Sequence, residues 1–458
     1  MRNAYKQSAR SVAFELLLAV EENDTYANLH LPKLLSQARL EDRDAALAQE
    51  LAFGTIRNQL FYDKVIEICA KRDATEIELR SKLLLRLGAH QLLSMRIPSH
   101  AALNETVGLT KSVASQGAVG FVNGVLRRIS EKTVEQWKSI VLDTVPDVIE
   151  RLSIEYSHPV WIVRALQQAL KVDGRADSLE SLLQTDNTAA GVNLVALPGM
   201  ATDEHTRGLT AGLASPIGFT LNSGDPAKLA AMRDGFLRVQ DQGSQLAALA
   251  LTGAKSIESG EKWLDMCAGP GGKAALLAAI AKAAGCKLET NEVSEHRAKL
   301  VSQALSKIDT SVPVFVSDAT TIGADAPESF DRIMLDAPCT GLGALRRRAE
   351  SRWRKQPKDV SELASLQQQL LESAWHALKP GGVLAYVTCS PHSGETLAIV
   401  DWLERQHANQ VQLLSATEVL KRLNSSLELN PNRKTVQLWP HINGTDAMFI
   451  ALITKSVG

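Results

Sequence analysis

Three short stretches of this chain hold residue types that can do chemistry together. Asp265-Met266-Cys267-Ala268-Gly269-Pro270-Gly271-Gly272-Lys273 is a glycine-rich turn ending in a cation. Asp336-Ala337-Pro338-Cys339 joins an acid to a thiol, and Thr388-Cys389-Ser390 offers a second thiol. Each follows a run that reads as a β-strand. In an open parallel sheet the carboxyl ends of the strands meet at one crevice, where ligands bind. A turn able to hold a cofactor through its backbone, an acid and two thiols are the equipment for cysteine attack on a base.

The turn itself narrows the ligand. It follows a strand and opens a helix, so its amides can face a ligand. Cys267 stands where a P-loop needs its first glycine, and Ala274 stands where that motif needs Ser or Thr; the same alanine breaks G-x-G-x-x-G. The pattern suits a cofactor without a polyphosphate, although the glycines alone are more simply an ordinary βα turn. Glu292 follows the next strand, 27 residues after Asp265, where an acid suits a ribose diol. Asp318 ends a third strand and can accept from an adenine amine. Either acid alone could equally cap a helix; with the turn they outline a nucleoside-shaped slot. Pro338 stiffens the segment that aims Asp336 and Cys339. A lone strand-end cysteine is more often an inert small hydrophobe. Here Lys273 and the helix start can supply the positive charge that favours a thiolate.

Arg346 to Lys358 holds seven basic residues and one acid, Glu350, around Trp353. Net +6 over that length reads either as a phosphate-contacting loop with a stacking aromatic or as a solvated loop. Arg2, Lys6 and Arg10 form a weaker basic patch that is more often a solvated face.

Composition sets the frame. A chain of 458 residues is long enough for two or three domains, and a net charge of −1 confines any nucleic-acid affinity to local patches. The five cysteines form no C-x-x-C pair, so neither a zinc site nor a disulfide framework is expected, and a reducing cytoplasm is. Leu246–Leu251 is too short to span a membrane, Ala274–Ala284 is broken by Lys282, and no signal peptide is evident.

Helical spacing dominates residues 1–135: Val12, Leu16, Leu17 and Val20; Leu51, Ile56, Leu60, Val65 and Ile68 across a longer stretch; Leu83, Leu84, Leu87 and Leu92; and Phe121, Val122, Val125 and Leu126. Five or more helices form a small bundle. Residues 136–180 read as a helical linker and 181–245 as a small α+β subdomain, with strands at 191–198 and 235–239 around a short helix at 225–232. Residues 246–458 alternate regularly. Strands are predicted at Lys262–Met266, Lys287–Asn291, Val312–Ser317, Asp331–Leu335 and Val383–Thr388, with helices between them, the pattern of a doubly wound α/β domain. Val436–Leu438 and Met448–Ile453 read as an antiparallel hairpin at the sheet edge.

Together these motifs resemble the RNA cytosine-5 methyltransferases of the RsmB/Sun type. The cofactor turn of that family resembles D-x-C-A-A-P-G-G-K, matched here except for Gly269. Its D-A-P-C and T-C-S elements are matched at Asp336–Cys339 and Thr388–Ser390, and Val239–Gln245 resembles its lead-in to the catalytic domain. The first 130 or so residues resemble the helical RNA-binding domain of the antitermination factor NusB. The resemblance departs in the basic loop, where Ala349-Glu350 replace Pro-Asp, and after the nucleophile, where Glu395-Thr396 replace Glu-Asn.

The resemblance implies a Rossmann-like S-adenosylmethionine-dependent methyltransferase domain and transfer of a methyl group to C5 of a cytosine in small-subunit (16S) rRNA. It implies Cys389 as the nucleophile that adds to C6, Asp336 on the pyrimidine edge, Cys339 assisting release, and Lys273 orienting the base or the thiolate. Cys267, Ala268, Gly269, Pro270, Gly271, Gly272, Lys273, Glu292, Asp318 and Asp336 would line the cofactor slot. Arg346, Arg347, Arg348, Arg352 and Trp353 would contact RNA. The expected protein is a cytoplasmic monomer that binds rRNA, with no membrane and no metal. A tRNA cytosine-5 methyltransferase and a non-catalytic RNA-binding or antitermination-type protein are the alternatives.

Overall fold

The computed structural model describes residues 7–23, 25–222 and 224–456. The chain forms two compact units. The first comprises residues 1–164, 183–189 and 345–354. Of the N-terminal basic patch, Arg2 and Lys6 lie outside the described residues, and Arg10 donates to Gln91 at 2.7 Å.

This unit is helical. Helices run at Ala9–Asn23, Ala27–Ala38, Asp42–Arg57, Gln59–Ala70, Leu79–Leu93, Ser99–Val113 and Gln116–Ile129. Leu79–Leu93 is the central one, because its apolar residues are not confined to one stripe. Leu83, Leu84 and Leu87 pack with Phe14, Leu16 and Leu51, while Leu85 and Ala89 pack in a second cluster with Tyr62, Val65, Val122 and Trp137. A Cβ on Gly88 would lie 2.6 Å from Leu126 Cδ2, so glycine permits the close approach of Gln116–Ile129. The pattern expected to run on from Leu51 to Ile68 is broken at Asn58 (φ −111°, ψ 14°), and Ile68 is 45% exposed.

The basic segment folds into this unit, which corrects part of the RNA-contact expectation. Arg352 is fully buried, and Arg346 is buried too. The Arg352 guanidinium donates to the carbonyls of Arg57 (3.3 Å), Ser157 (3.0 Å) and Asp186 (3.2 Å) and to Asn187 Oδ1 (2.8 Å). Burial pulls its pKa down to about 10, which leaves it charged at neutral pH. Trp353 packs against the first apolar cluster and donates from Nε1 to the Ile56 carbonyl at 3.2 Å. Glu350 accepts from the Ala27 amide at 3.1 Å. Arg348 remains exposed and Arg347 half-buried. Arginine is suited to this structural task because its planar fork can satisfy several carbonyls at once.

The second unit comprises residues 165–182, 190–344 and 355–458. A small antiparallel sheet has the order β2-β3-β1-β4, from β1 (Val192–Ala196), β2 (Thr210–Ala211), β3 (Gly218–Leu221) and β4 (Leu237–Val239). The large sheet holds β5 (Lys262–Asp265), β6 (Lys287–Asn291), β7 (Val314–Phe315), β8 (Phe330–Asp336), β9 (Leu378–Thr388), β10 (Val411–Leu414), β11 (Val436–Gln437) and β12 (Phe449–Lys455). Its order is β10-β12-β9-β8-β5-β6-β7, with β11 paired to β12. β9, β8, β5, β6 and β7 are parallel, and β12 runs antiparallel to both β9 and β10.

The hairpin expected at the edge is therefore half interior. β12 inserts between β9 and β10, a strand that the sequence reading did not anticipate. Strand alternation divides the core between the two faces. Met334, Val383, Ala385, Val387, Ile450 and Leu452 join one cluster, with the alanine-rich helix Gly272–Ala284. Ile333, Leu335, Leu384, Tyr386, Ala451 and Ile453 join the other, with Trp375 of helix Pro357–Ala377. No described helix is long and apolar enough to cross a membrane.

Arg352→Ala will leave buried carbonyls without a donor and open a cavity. It should lower the stability of the helical unit by about 2–5 kcal/mol. Calorimetry on the purified protein checks this; a loss below about 1 kcal/mol would mean that Arg352 is not the link that holds the basic segment in place.

Candidate functional site: paired thiols at the ends of parallel strands

The strand order reverses at β5, with β8 on one side and β6 on the other, which is the switch point where open α/β sheets bind ligands. β5 ends in Asp265, and the turn that follows is held firmly in place. Met266 N–H donates to the Met334 carbonyl (2.9 Å), Ala268 N–H to Asn291 (2.9 Å) and Gly271 N–H to Ala268 (2.7 Å). Gly271 has φ 104°, and a Cβ there would lie 2.6 Å from Ala304 Cβ, so this position requires glycine. The amides of Met266, Ala268 and Gly271, expected to face a ligand, are thus committed to carbonyls of β8, of β6 and of the turn itself. Helix Gly272–Ala284 begins without a side-chain cap.

Glu292 is buried and turned onto the glycines. It accepts from Gly269 N–H at 3.0 Å and Ser294 N–H at 3.1 Å, and it pairs with Arg297 at 3.4 Å. A Cβ at position 269 would lie 2.2 Å from Glu292 Oε2, so the glycine departure from the family pattern makes room for this carboxylate. Asp318 is exposed and caps the short turn Ala319–Thr321, accepting from Thr320 N–H at 2.9 Å; that bond holds its carboxyl below the usual range.

Asp265 was not singled out as a site residue, yet it is completely buried. Among the described residues neither carboxylate oxygen makes a well-aligned hydrogen bond, although the Cys267 amide lies close to them. Burial, then the negative charge of Asp336, pushes its pKa up to about 8. Burial and the surrounding acids likewise raise the Cys267 thiol far above its ordinary range, which disfavours its thiolate.

Asp336 ends β8, and Lys273 Nζ reaches its Oδ2 at 2.9 Å. Burial opposes the Lys273 charge, but Asp336 and then Cys389 outweigh it, so its pKa is raised and it stays protonated. Ala337 N–H donates to the Val387 carbonyl and Gly343 N–H to Cys389, both at 2.9 Å, which ties the Asp336–Cys339 turn to the end of β9. The sulfurs of Cys339 and Cys389 are 3.4 Å apart. The bond to Cys389 first, then burial, drives the Cys339 pKa well above the ordinary thiol value.

The structure thus gathers Lys273, Asp336, Cys339 and Cys389 at one crevice and sets Glu292 against the turn. Sequence reading gave no role to Glu395, whose buried carboxylate bonds the residues that follow both thiols. The resemblance marked Glu395 only as the matching half of the family's Glu-Asn pair; its bond to Thr340, 55 residues away, is not written in any local pattern. Outside the crevice, Glu372, His376 and His407 bring three potential metal-ligand atoms within 4.8 Å of one another.

The Asp265 carboxyl titrates near 8 in the folded protein and near about 4 in an unfolded chain. The folded state therefore binds the extra proton between those values, and stability falls as pH rises through that window. Asp265→Asn removes this dependence. Urea unfolding from pH 5 to 9 should show a flatter stability profile for the variant than for wild type; identical slopes would mean that Asp265 does not carry the effect.

Comparison with known proteins gives the family. Residues 254–454 match the family described as 16S rRNA methyltransferase RsmB/F, and residues 7–131 match the NusB family. A Mycobacterium tuberculosis protein named as a methyltransferase is 43% identical over 451 residues, covering 98% of this chain and 96% of its own. Ribosomal RNA small subunit methyltransferase B of Enterobacter sp. (strain 638) is 30% identical over 467 residues, covering 98% of this chain and 99% of its own. The crystal structure of PH0851 shares the fold at TM-score 0.79 and 21% identity, covering 99% of both chains. That of NSun6 from Pyrococcus horikoshii with SFG does so at TM-score 0.53 and 16% identity, over 64% of this chain and 98% of its own. With relatives matched along nearly its whole length and the family match spanning the sheet that carries both thiols, this chain belongs to the RsmB/F family of 16S rRNA methyltransferases, with a NusB-family domain at its N-terminal end.

Proposed function

We propose that the protein transfers a methyl group from S-adenosylmethionine to C5 of a cytosine in 16S rRNA, through a covalent bond between Cys389 and C6 of the base. The observation that carries this reading is the pair of thiols 3.4 Å apart beside the Lys273–Asp336 ion pair.

The surroundings of the turn fit the methyl donor. Lys273 and Arg297 are each paired with a carboxylate, and Asp265 beside them keeps its proton, so neither cation is left uncompensated to attract a polyphosphate. That charge pattern suits a ligand bearing a sulfonium and an ammonium better than a polyphosphate. Residues 267–273, Glu292, Asp318 and Asp336 would hold it. When bound there, S-adenosylmethionine supplies the methyl group.

Neutral cytosine is a weak nucleophile at C5, and covalent addition divides one difficult step into easier ones. Attack calls for the thiolate form of Cys389, which the charge of protonated Lys273 favours, and the Cys339 sulfur lies 3.4 Å away. Its sulfur bonds to C6, and the electron pair of the C5–C6 double bond moves toward C5. Asp336, held by Lys273, hydrogen-bonds the pyrimidine edge and favours protonation at N3. Once Cys389 is bonded to carbon, its charge no longer holds Cys339 protonated; Cys339 gives its proton to water and then takes the C5 proton, the C5–H electron pair re-forms the C5–C6 double bond, and the C6–S bond breaks to release Cys389. RNA contacts from the basic segment fall to Arg347 and Arg348. The NusB-family match supports rRNA over tRNA, and thiol chemistry of this kind calls for a reducing cytoplasm.

Methyl transfer from labelled S-adenosylmethionine should place label on cytosine C5 of protein-free 16S rRNA. Cys389→Ala should lower the rate by at least about 10³-fold, as expected for loss of a nucleophile. Cys339→Ala should instead accumulate a denaturant-stable protein–RNA adduct. Label on tRNA alone would overturn the substrate. A fully active Cys389→Ala protein would overturn the mechanism.

A further inference from the structure

We propose that Glu395 is a positioning residue whose carboxylate sets the spacing of the two thiol-bearing loops. The inference rests on the reading of Cys389 and Cys339 as the reacting thiols. Glu395 lies in the short turn Ser393–Glu395 and is fully buried. Its Oε1 accepts from the Thr340 amide at 2.7 Å; its Oε2 accepts from the Thr340 hydroxyl and from Ser390 Oγ, the latter at 2.6 Å. Thr340 directly follows Cys339, and Ser390 directly follows Cys389. The two hydroxyls are themselves 3.2 Å apart. One carboxylate therefore grips both loops one residue beyond each sulfur.

The grip is itself braced. The Tyr386 hydroxyl of β9 donates to the Glu395 carbonyl at 2.8 Å and lies 3.1 Å from Gln367 Oε1. Gln367 Nε2 donates to the Pro338 carbonyl at 2.9 Å, just before Cys339. The cluster thus reaches the Cys339 loop on both sides of the thiol. A buried carboxylate is costly unless it is fully hydrogen-bonded, and here charge-assisted bonds to an amide and two hydroxyls meet that condition. Reacting groups must be held to within fractions of an ångström, and a displacement of about 1 Å can lower a rate about 100-fold.

Two measurements test this. In methyl transfer, Glu395→Ala should lower kcat about 100-fold while the KM for RNA and the Kd for S-adenosylmethionine stay within about threefold. Glu395→Gln retains an acceptor for the Thr340 amide and should lose about tenfold. Independently of any RNA, diamide will join the sulfurs of Cys339 and Cys389, each losing a proton as the reagent takes up two electrons. This cross-link, read by peptide mass spectrometry, should form about tenfold more slowly in Glu395→Ala than in wild type. Equal cross-linking rates, or a Glu395→Ala kcat within threefold of wild type, would overturn the inference. If Glu395→Ala does not fold, the Thr340→Val/Ser390→Ala double variant carries the same comparison. Slowed cross-linking in a protein that methylates no RNA would uphold the clamp and overturn the proposed reaction.

Discussion

The parallel pairing of β8 with β9 is the constraint on which the rest of the site depends. Its register sets Asp336 opposite Val387, so both strands end at the same level. The Asp336–Cys339 turn then lies beside Thr388-Cys389, and two thiols 50 residues apart come within 3.4 Å. A slip of one residue would flip every side chain of one strand to the opposite face. The register is locked from both sides of the sheet, because alternate residues of β8 and β9 belong to two separate apolar clusters. β12, inserted antiparallel beside β9, adds a further row of ladder bonds and removes the free edge from β9.

On that frame the charges are arranged in closed pairs: Lys273 with Asp336, and Arg297 with Glu292. Asp265 stands apart as a buried acid whose proton is retained because burial and neighbouring Asp336 both disfavour its ionised form. The local consequence is a crevice in which one lysine stays cationic, two thiols lie within hydrogen-bonding distance, and burial disfavours the thiolate of the third, Cys267.

The basic segment 346–354 shows how charge density misleads when burial is unknown. Its composition is that of an RNA-contacting loop, yet Arg352 and Trp353 hold helices and loops of the first unit together through backbone carbonyls. Guanidinium groups serve either purpose, since the same fork that grips phosphate can satisfy several carbonyls. The acid Glu350, which looked like an interruption of a cationic run, is a buried acceptor for the Ala27 amide.

Much was legible in the amino-acid sequence because it is encoded locally. Apolar spacing marked the helices around Leu16, Leu51 and Leu83. Alternation marked β5, β6, β8 and β9, and turn residues placed the three chemical motifs at strand ends. These signals need only about ten neighbouring residues to be read. Tertiary structure alone decided the rest: the insertion of β12 into the sheet interior, the inward turn of Glu292 onto Gly269, the burial of Arg352, and the grip of Glu395 on two distant loops. Each depends on which remote segment packs against a residue, and pairing register and burial are properties of the folded whole that no local pattern records.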